Sequence, residues 1–187
     1  MRDGYELDWV QSVGLGAGNV QIKDDNPYLP IGEITTELIE AELSALTSTV
    51  ALMQHLLPHF KAQKSSRIVV VSSMSAVRSF ASGSLHMAAK GALSRFVNAA
   101  MIELAPQNIF VTDVRPGGVD TGLYDSEIVQ KTIRLIASSY GYDWSGDRIS
   151  LMPPRAVGKA ILTALASEGH IPSINLVAQG QWPHEGS

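Results

Sequence analysis

The chain has 187 residues, 45% of them hydrophobic, and a formal net charge of −4. That length gives one domain, or most of one, with a sizeable core, and the acidic balance argues against a nucleic-acid surface, while no run of like charge makes a polybasic tail. Cysteine is absent, which excludes disulfide and thiolate chemistry; Arg2, Asp3, Glu6 and Asp8 exclude a signal peptide at the start, and no apolar run suits a membrane span, so a cytoplasmic location is expected.

Leu7 to Val13 reads as a short strand. Gly14 to Asn19, GLGAGN, is glycine-rich and has two readings: a phosphate cradle, or a plain loop whose backbone approaches a neighbour closely. A proline-containing loop follows it, whereas a dinucleotide fingerprint opens a helix at once. Ile31 to Ala62 carries apolar residues at helical spacing, with Thr35 or Thr36 as cap, Glu37 and Glu40 in the first turns, and Pro58 at an end or a bend. His55 and His59 are i, i+4 and share a helix face, as a metal pair or as solvated side chains; without a carboxylate or cysteine partner the solvated reading is the expected one, so no metal is assigned.

Lys61 to Ser66 is a polar turn. Arg67 to Ser72 is a β-branched run, the signal of a buried strand, and Ser72 and Ser73 close it with hydroxyls. A small-residue loop leads into an alanine-rich helix, His86 to Ala105. His86 and Lys90 lie one above the other on that helix, thirteen and seventeen residues after Ser73, so a serine, an imidazole and an ammonium can share one pocket wall. Asn108 to Val114 is the next strand, closed by the turn Arg115 to Gly122. A helix is expected over Asp125 to Ser139, followed by Tyr140, Tyr142 and Trp144, which either line an apolar substrate site or pack. Pro154 to Ser167 is a helix with proline at its start, Pro172 to Ala178 a last strand, and the final eight residues a surface tail.

The spacing Ser73, His86, Lys90 resembles the short-chain dehydrogenase/reductase family, which shows a serine, a tyrosine thirteen residues on, and a lysine four further. His86 stands at the tyrosine position. Pro116, Gly117, Val119 and Thr121 match a second family motif, Pro-Gly-x-Val-x-Thr, in full. Ala17 and Gly18 match the last two places of the family's Asn-Asn-Ala-Gly motif, and Ala45 stands where the family has its catalytic asparagine.

The resemblance covers about residues 7 to 180. It implies an α/β fold, a Rossmann-like doubly wound parallel sheet of which this chain holds the rear half. On that reading 1–187 is one incomplete NAD(P)-binding domain, truncated before its first three strands. The missing part would carry the main pyrophosphate loop and the residue that selects NAD or NADP. The first strand would then be an edge with unpaired backbone groups, a recruiting or aggregating surface. The resemblance further implies Ser73, His86 and Lys90 as catalytic residues. Ala17, Gly18, Lys90, Pro116, Gly117, Val119 and Thr121 would be cofactor-binding, the substrate a small carbonyl or alcohol, and the assembly a homodimer through the two long helices. For that alanine-rich helix the bland alternative is a buried helix of a monomer.

In the family the phenol is the acid/base, the lysine lowers its pKa, and the serine steadies the substrate oxygen. An imidazole ends about two bond lengths short of a phenol's oxygen, and a misplacement of about 1 Å can cost on the order of a hundredfold in rate. Lys90 is also a like charge to an imidazolium. Two functions follow: an oxidoreductase that is weak or altered through His86, or a non-catalytic homologue, a pseudoenzyme that partners a complete paralogue. A fragment of a longer reductase is the blander alternative.

Overall fold

A computed structural model describes residues 10–11, 30–79, 83–125, 127, 129–130, 134 and 150–178. The glycine-rich segment 14–19, with Ala17 and Gly18, lies outside them, as do Tyr140, Tyr142, Trp144 and the tail.

Among the described residues four strands form one parallel sheet in the order β1 (Val10–Gln11), β2 (Ser66–Val71), β3 (Ile109–Pro116), β4 (Ser173–Leu176). Val10 pairs with Val69, Ser66 to Val71 pair with Ile109 to Val114, and Asp113 to Pro116 pair with Ser173 to Leu176. The expected parallel joining of the first strand to the second is therefore present, and β1 and β4 are the outer strands among the described residues. Among the described residues three long helices pack on the sheet: α1 (Thr36–Lys61), α2 (Ser84–Leu104) and α3 (Pro154–Ala166).

Strand alternation sorts β2 and β3 between two cores. Ile68, Val70, Ile109 and Val111 face α1 and α2, packing on Met53, Phe60, Leu93, Val97 and Leu104. Val69, Val71 and Val114 face α3, against Ala160, Ala164 and Leu165. Each such buried aliphatic side chain contributes about 1.5–3 kcal/mol. The same alternation puts Ser72, Asp113 and Arg115 on the α1/α2 face, beyond the apolar layer and at the carboxyl ends of the strands.

The α1 helix starts where Thr35 accepts a hydrogen bond from the backbone N–H of Leu38, at 3.3 Å. Of the two candidate caps it is the one used, and a separate short turn, Ile31–Glu33, precedes it. Pro58 does not end α1. The helix runs on to Lys61, with Pro58 inside its last turn. His55 and His59 are both exposed on α1. Between α2 and β3, Asn108 adopts a left-handed conformation, φ 56°, which asparagine tolerates, and its carbonyl accepts from the Ser66 N–H at 2.9 Å. Arg67 holds the far end of the sheet: its guanidinium lies 5.5 Å from the Phe110 ring centroid and donates to the Gly169 carbonyl at 3.1 Å.

Candidate active site

The buried face of α2 carries His86, Lys90 and Ser94 at i, i+4 and i+8, a polar stripe within an otherwise apolar row. All three are buried, Lys90 to 3% exposure. The carboxylate of Glu42, on the buried face of α1, lies 3.2 Å from His86 Nδ1. Glu42 also sits close enough to Lys90 to act on its charge. An acid, an imidazole and an ammonium therefore share the contact between α1 and α2. Glu42 lies one turn before Ala45, and both are buried on α1.

Burial pushes the Lys90 ammonium below the ordinary lysine range, and the negative charge of Glu42 opposes that shift. The sign for stability follows. Between the lowered folded pKa and the ordinary value near 10.5, the unfolded chain binds more protons than the folded one, so stability rises with pH there. Wild type should gain on a Lys90→Met variant as pH climbs through that window, read as the difference between their melting temperatures. A difference that is flat with pH would contradict this.

Ser73 occupies another part of the site. It caps the turn Met74–Ala76, where its Oγ accepts from the Ser75 N–H at 3.1 Å and lies 3.1 Å from Ser75 Oγ. That turn packs against α2, with the Ala76 carbonyl 4.0 Å from where a Cβ on Gly91 would stand. Ser73 is thus beside the helix of His86 and Lys90, but among the described residues it makes no hydrogen bond to either.

Ser72 has a different task from its neighbour. It donates to Asp113 Oδ1 at 2.5 Å, while Ser94 and Arg115 Nε reach Oδ2 at 2.6 and 2.7 Å. Asp113 is 0% exposed, and this set ties β2, β3 and α2 together behind the site. Beyond β3, Pro116, Gly117, Val119 and Thr121 form a loop held from below. The Gly117 N–H donates to the Leu176 carbonyl at 2.7 Å, and Val119 bridges to Met152. Thr121 is exposed at the far end of the loop, followed by Gly122 at φ 85°, a conformation that favours glycine. The backbone of Pro116 to Thr121 thus lies at the carboxyl end of the sheet, where open α/β sheets bind ligands.

Glu42 and Asp113 escaped the sequence reading. The signal for Glu42 was its place on the apolar stripe of α1 with Ala41, Ala45 and Thr49. For Asp113 it was a charge inside a β-branched strand, on the same face as Val111.

The family model for short chain dehydrogenases matches residues 17–131. The chain belongs to the short-chain dehydrogenase family. An uncharacterised oxidoreductase of Bacillus subtilis (strain 168) is 31% identical over 132 residues, covering 68% of this chain and 51% of that protein. A dehydrogenase/reductase SDR family protein 7-like from Anopheles gambiae is 30% identical over 119 residues, 61% of this chain and 38% of its own length. This short-chain dehydrogenase thus spans about half, or less, of the relatives it matches. Its fold is similar to an NADPH-bound short chain oxidoreductase of Pseudomonas aeruginosa PAO1 with an atypical catalytic center, at TM-score 0.68 and 20% identity over 94% of this chain and 65% of that one. It is also similar to a short chain dehydrogenase of Burkholderia cenocepacia J2315 in complex with NADP, at TM-score 0.61 and 25% identity over 83% of this chain and 57% of that one.

Proposed function

We propose that this short-chain dehydrogenase is an NAD(P)-dependent oxidoreductase acting slowly on a small carbonyl or alcohol substrate, with His86 in the tyrosine's place. The observation that supports this most is the buried meeting of Glu42, His86 and Lys90 between α1 and α2. Burying an ammonium is costly unless something compensates it. Among the described residues the Lys90 ammonium has no hydrogen-bond acceptor, and its electrostatic partner is Glu42. Three buried donors without acceptors suit a ligand that brings hydroxyl oxygens, as the ribose of a nicotinamide nucleotide does. Thr121 and the backbone of Pro116, Gly117 and Val119 would hold the nicotinamide end, and Ala17 and Gly18 the adenosine side.

When bound, the nicotinamide supplies or accepts the hydride. The rest is done by the chain. His86 gives a proton to the substrate oxygen in reduction and takes it back in oxidation, work an imidazole does near neutral pH. Lys90 keeps positive charge beside that oxygen. Ser73 steadies it once its hydroxyl turns from Ser75. The imidazole's shorter reach keeps the rate low. The test is NADH- or NADPH-dependent reduction of a panel of ketones and aldehydes. Slow turnover by the wild type that disappears in His86→Gln is expected. Equal rates in the two proteins, or no turnover with any carbonyl, would overturn the proposal.

A second reading, a dimerisation partner for another copy or a complete paralogue, is favoured by apolar side chains on the outer faces of α1 and α2. Ile102 is 76% and Leu52 37% exposed. Solution mass tests the first form of this reading: a monomer at working concentration would remove pairing with another copy.

A further inference from the structure

We propose that Glu42 is a positioning residue for His86: its carboxylate holds the imidazole in one orientation, with the proton on Nδ1 and Nε2 left as the acceptor. The proposal deepens the acid–base role given to His86 above, but its first test does not depend on that role.

The argument begins with donors and acceptors. A carboxylate only accepts, so the 3.2 Å contact from Glu42 to His86 Nδ1 requires the hydrogen on Nδ1. The basic nitrogen of the neutral ring is then Nε2, on the opposite side. An exposed imidazole favours the other tautomer, with hydrogen on Nε2, so the buried carboxylate selects the form that free histidine disfavours. Burial makes that selection effective. His86 is 5% and Glu42 7% exposed, so little water competes for either group. The two residues come from different helices, and ring orientation is therefore set by how α1 packs on α2.

Charge is the second part. Lys90 sits one turn from His86 on α2, and an ammonium there is a like charge to an imidazolium. Glu42, from α1, is the negative group acting on both: it contacts the imidazole and raises the affinity of Lys90 for its proton against the burial that lowers it.

The experiment is long-range ¹H–¹⁵N NMR of the full 187-residue chain with labelled histidine, at a pH where His86 is neutral. The His86 signals are assigned by their loss in His86→Gln. The expected result is a protonated Nδ1 and an unprotonated Nε2 in the wild type. In Glu42→Leu the tautomer should move toward hydrogen on Nε2, while in Glu42→Gln, whose amide oxygen still accepts, Nδ1 should stay protonated. Hydrogen on Nε2 in the wild type, or a tautomer unchanged in a folded Glu42→Leu, would overturn the proposal. The wild-type spectrum decides even where Glu42→Leu does not fold. Carbonyl reduction is read alongside. Glu42→Leu should lower kcat on the order of ten- to a hundredfold with KM little changed. A protonated Nδ1 without any turnover in the wild type would keep the positioning role and remove the oxidoreductase reading instead.

Discussion

Asp113→Ala is expected to lower the melting temperature by on the order of 10 °C. The carboxylate is 0% exposed and accepts from Ser72, Ser94 and Arg115 at 2.5–2.7 Å. Its removal leaves two buried hydroxyls and a guanidinium without their partner. Breaking a buried ion pair by deleting one member costs about 3–5 kcal/mol, and a domain of this size loses about 2–4 °C per kcal/mol. Because native domains hold only about 5–15 kcal/mol, the variant would be near the edge of folding. Asp113→Leu combined with Arg115→Met should recover much of the loss, since replacing both partners with apolar groups leaves no orphaned charge. Thermal unfolding followed by circular dichroism checks both. A drop in Asp113→Ala of only a degree or two would show that the three hydrogen bonds contribute little.

His86→Gln is expected to reduce kcat/KM about 10²- to 10⁴-fold, the usual worth of a positioned general acid or base. Glutamine keeps polar atoms in the site, so folding should survive, but it cannot move a proton near neutral pH. His86→Tyr is the informative companion. A phenol would restore the reach that the imidazole lacks, and a recovered distance of about 1 Å is worth on the order of a hundredfold. It would also stand against the Glu42 carboxylate, which disfavours a phenolate. The single variant should therefore gain less than His86→Tyr combined with Glu42→Gln. Equal gains in the two would mean that Glu42 does not act on the group at position 86.

Much of the fold was legible because it is local. The apolar spacing of Ile31 to Ala62 and of His86 to Ala105 marks helices, found at Thr36–Lys61 and Ser84–Leu104, and the run Arg67 to Ser72 marks the buried strand found at Ser66–Val71. The thirteen-residue step from Ser73 to His86, and the helical step to Lys90, brought three candidates to one region. What the sequence hid is non-local. Glu42 lies 44 residues from His86, and only the packing of α1 on α2 makes them partners. Ser72 and Ser73 look equivalent at the end of a strand, yet alternation sends Ser72 to Asp113, while Ser73 leaves the strand and caps a turn. Pro58 shows the limit of a local rule: proline commonly ends or bends a helix, yet α1 continues past it to Lys61.

The buried Lys90, held beside Glu42 and His86, is the point on which the functional account turns. The most direct measurement is fluorescence titration of the chain with NADH and with NADPH, alongside a Lys90→Met variant. A saturable change for at least one nucleotide, weakened at least tenfold in the variant, is the predicted result. No change up to about millimolar nucleotide, a binding energy of about −4 kcal/mol or weaker, would contradict it.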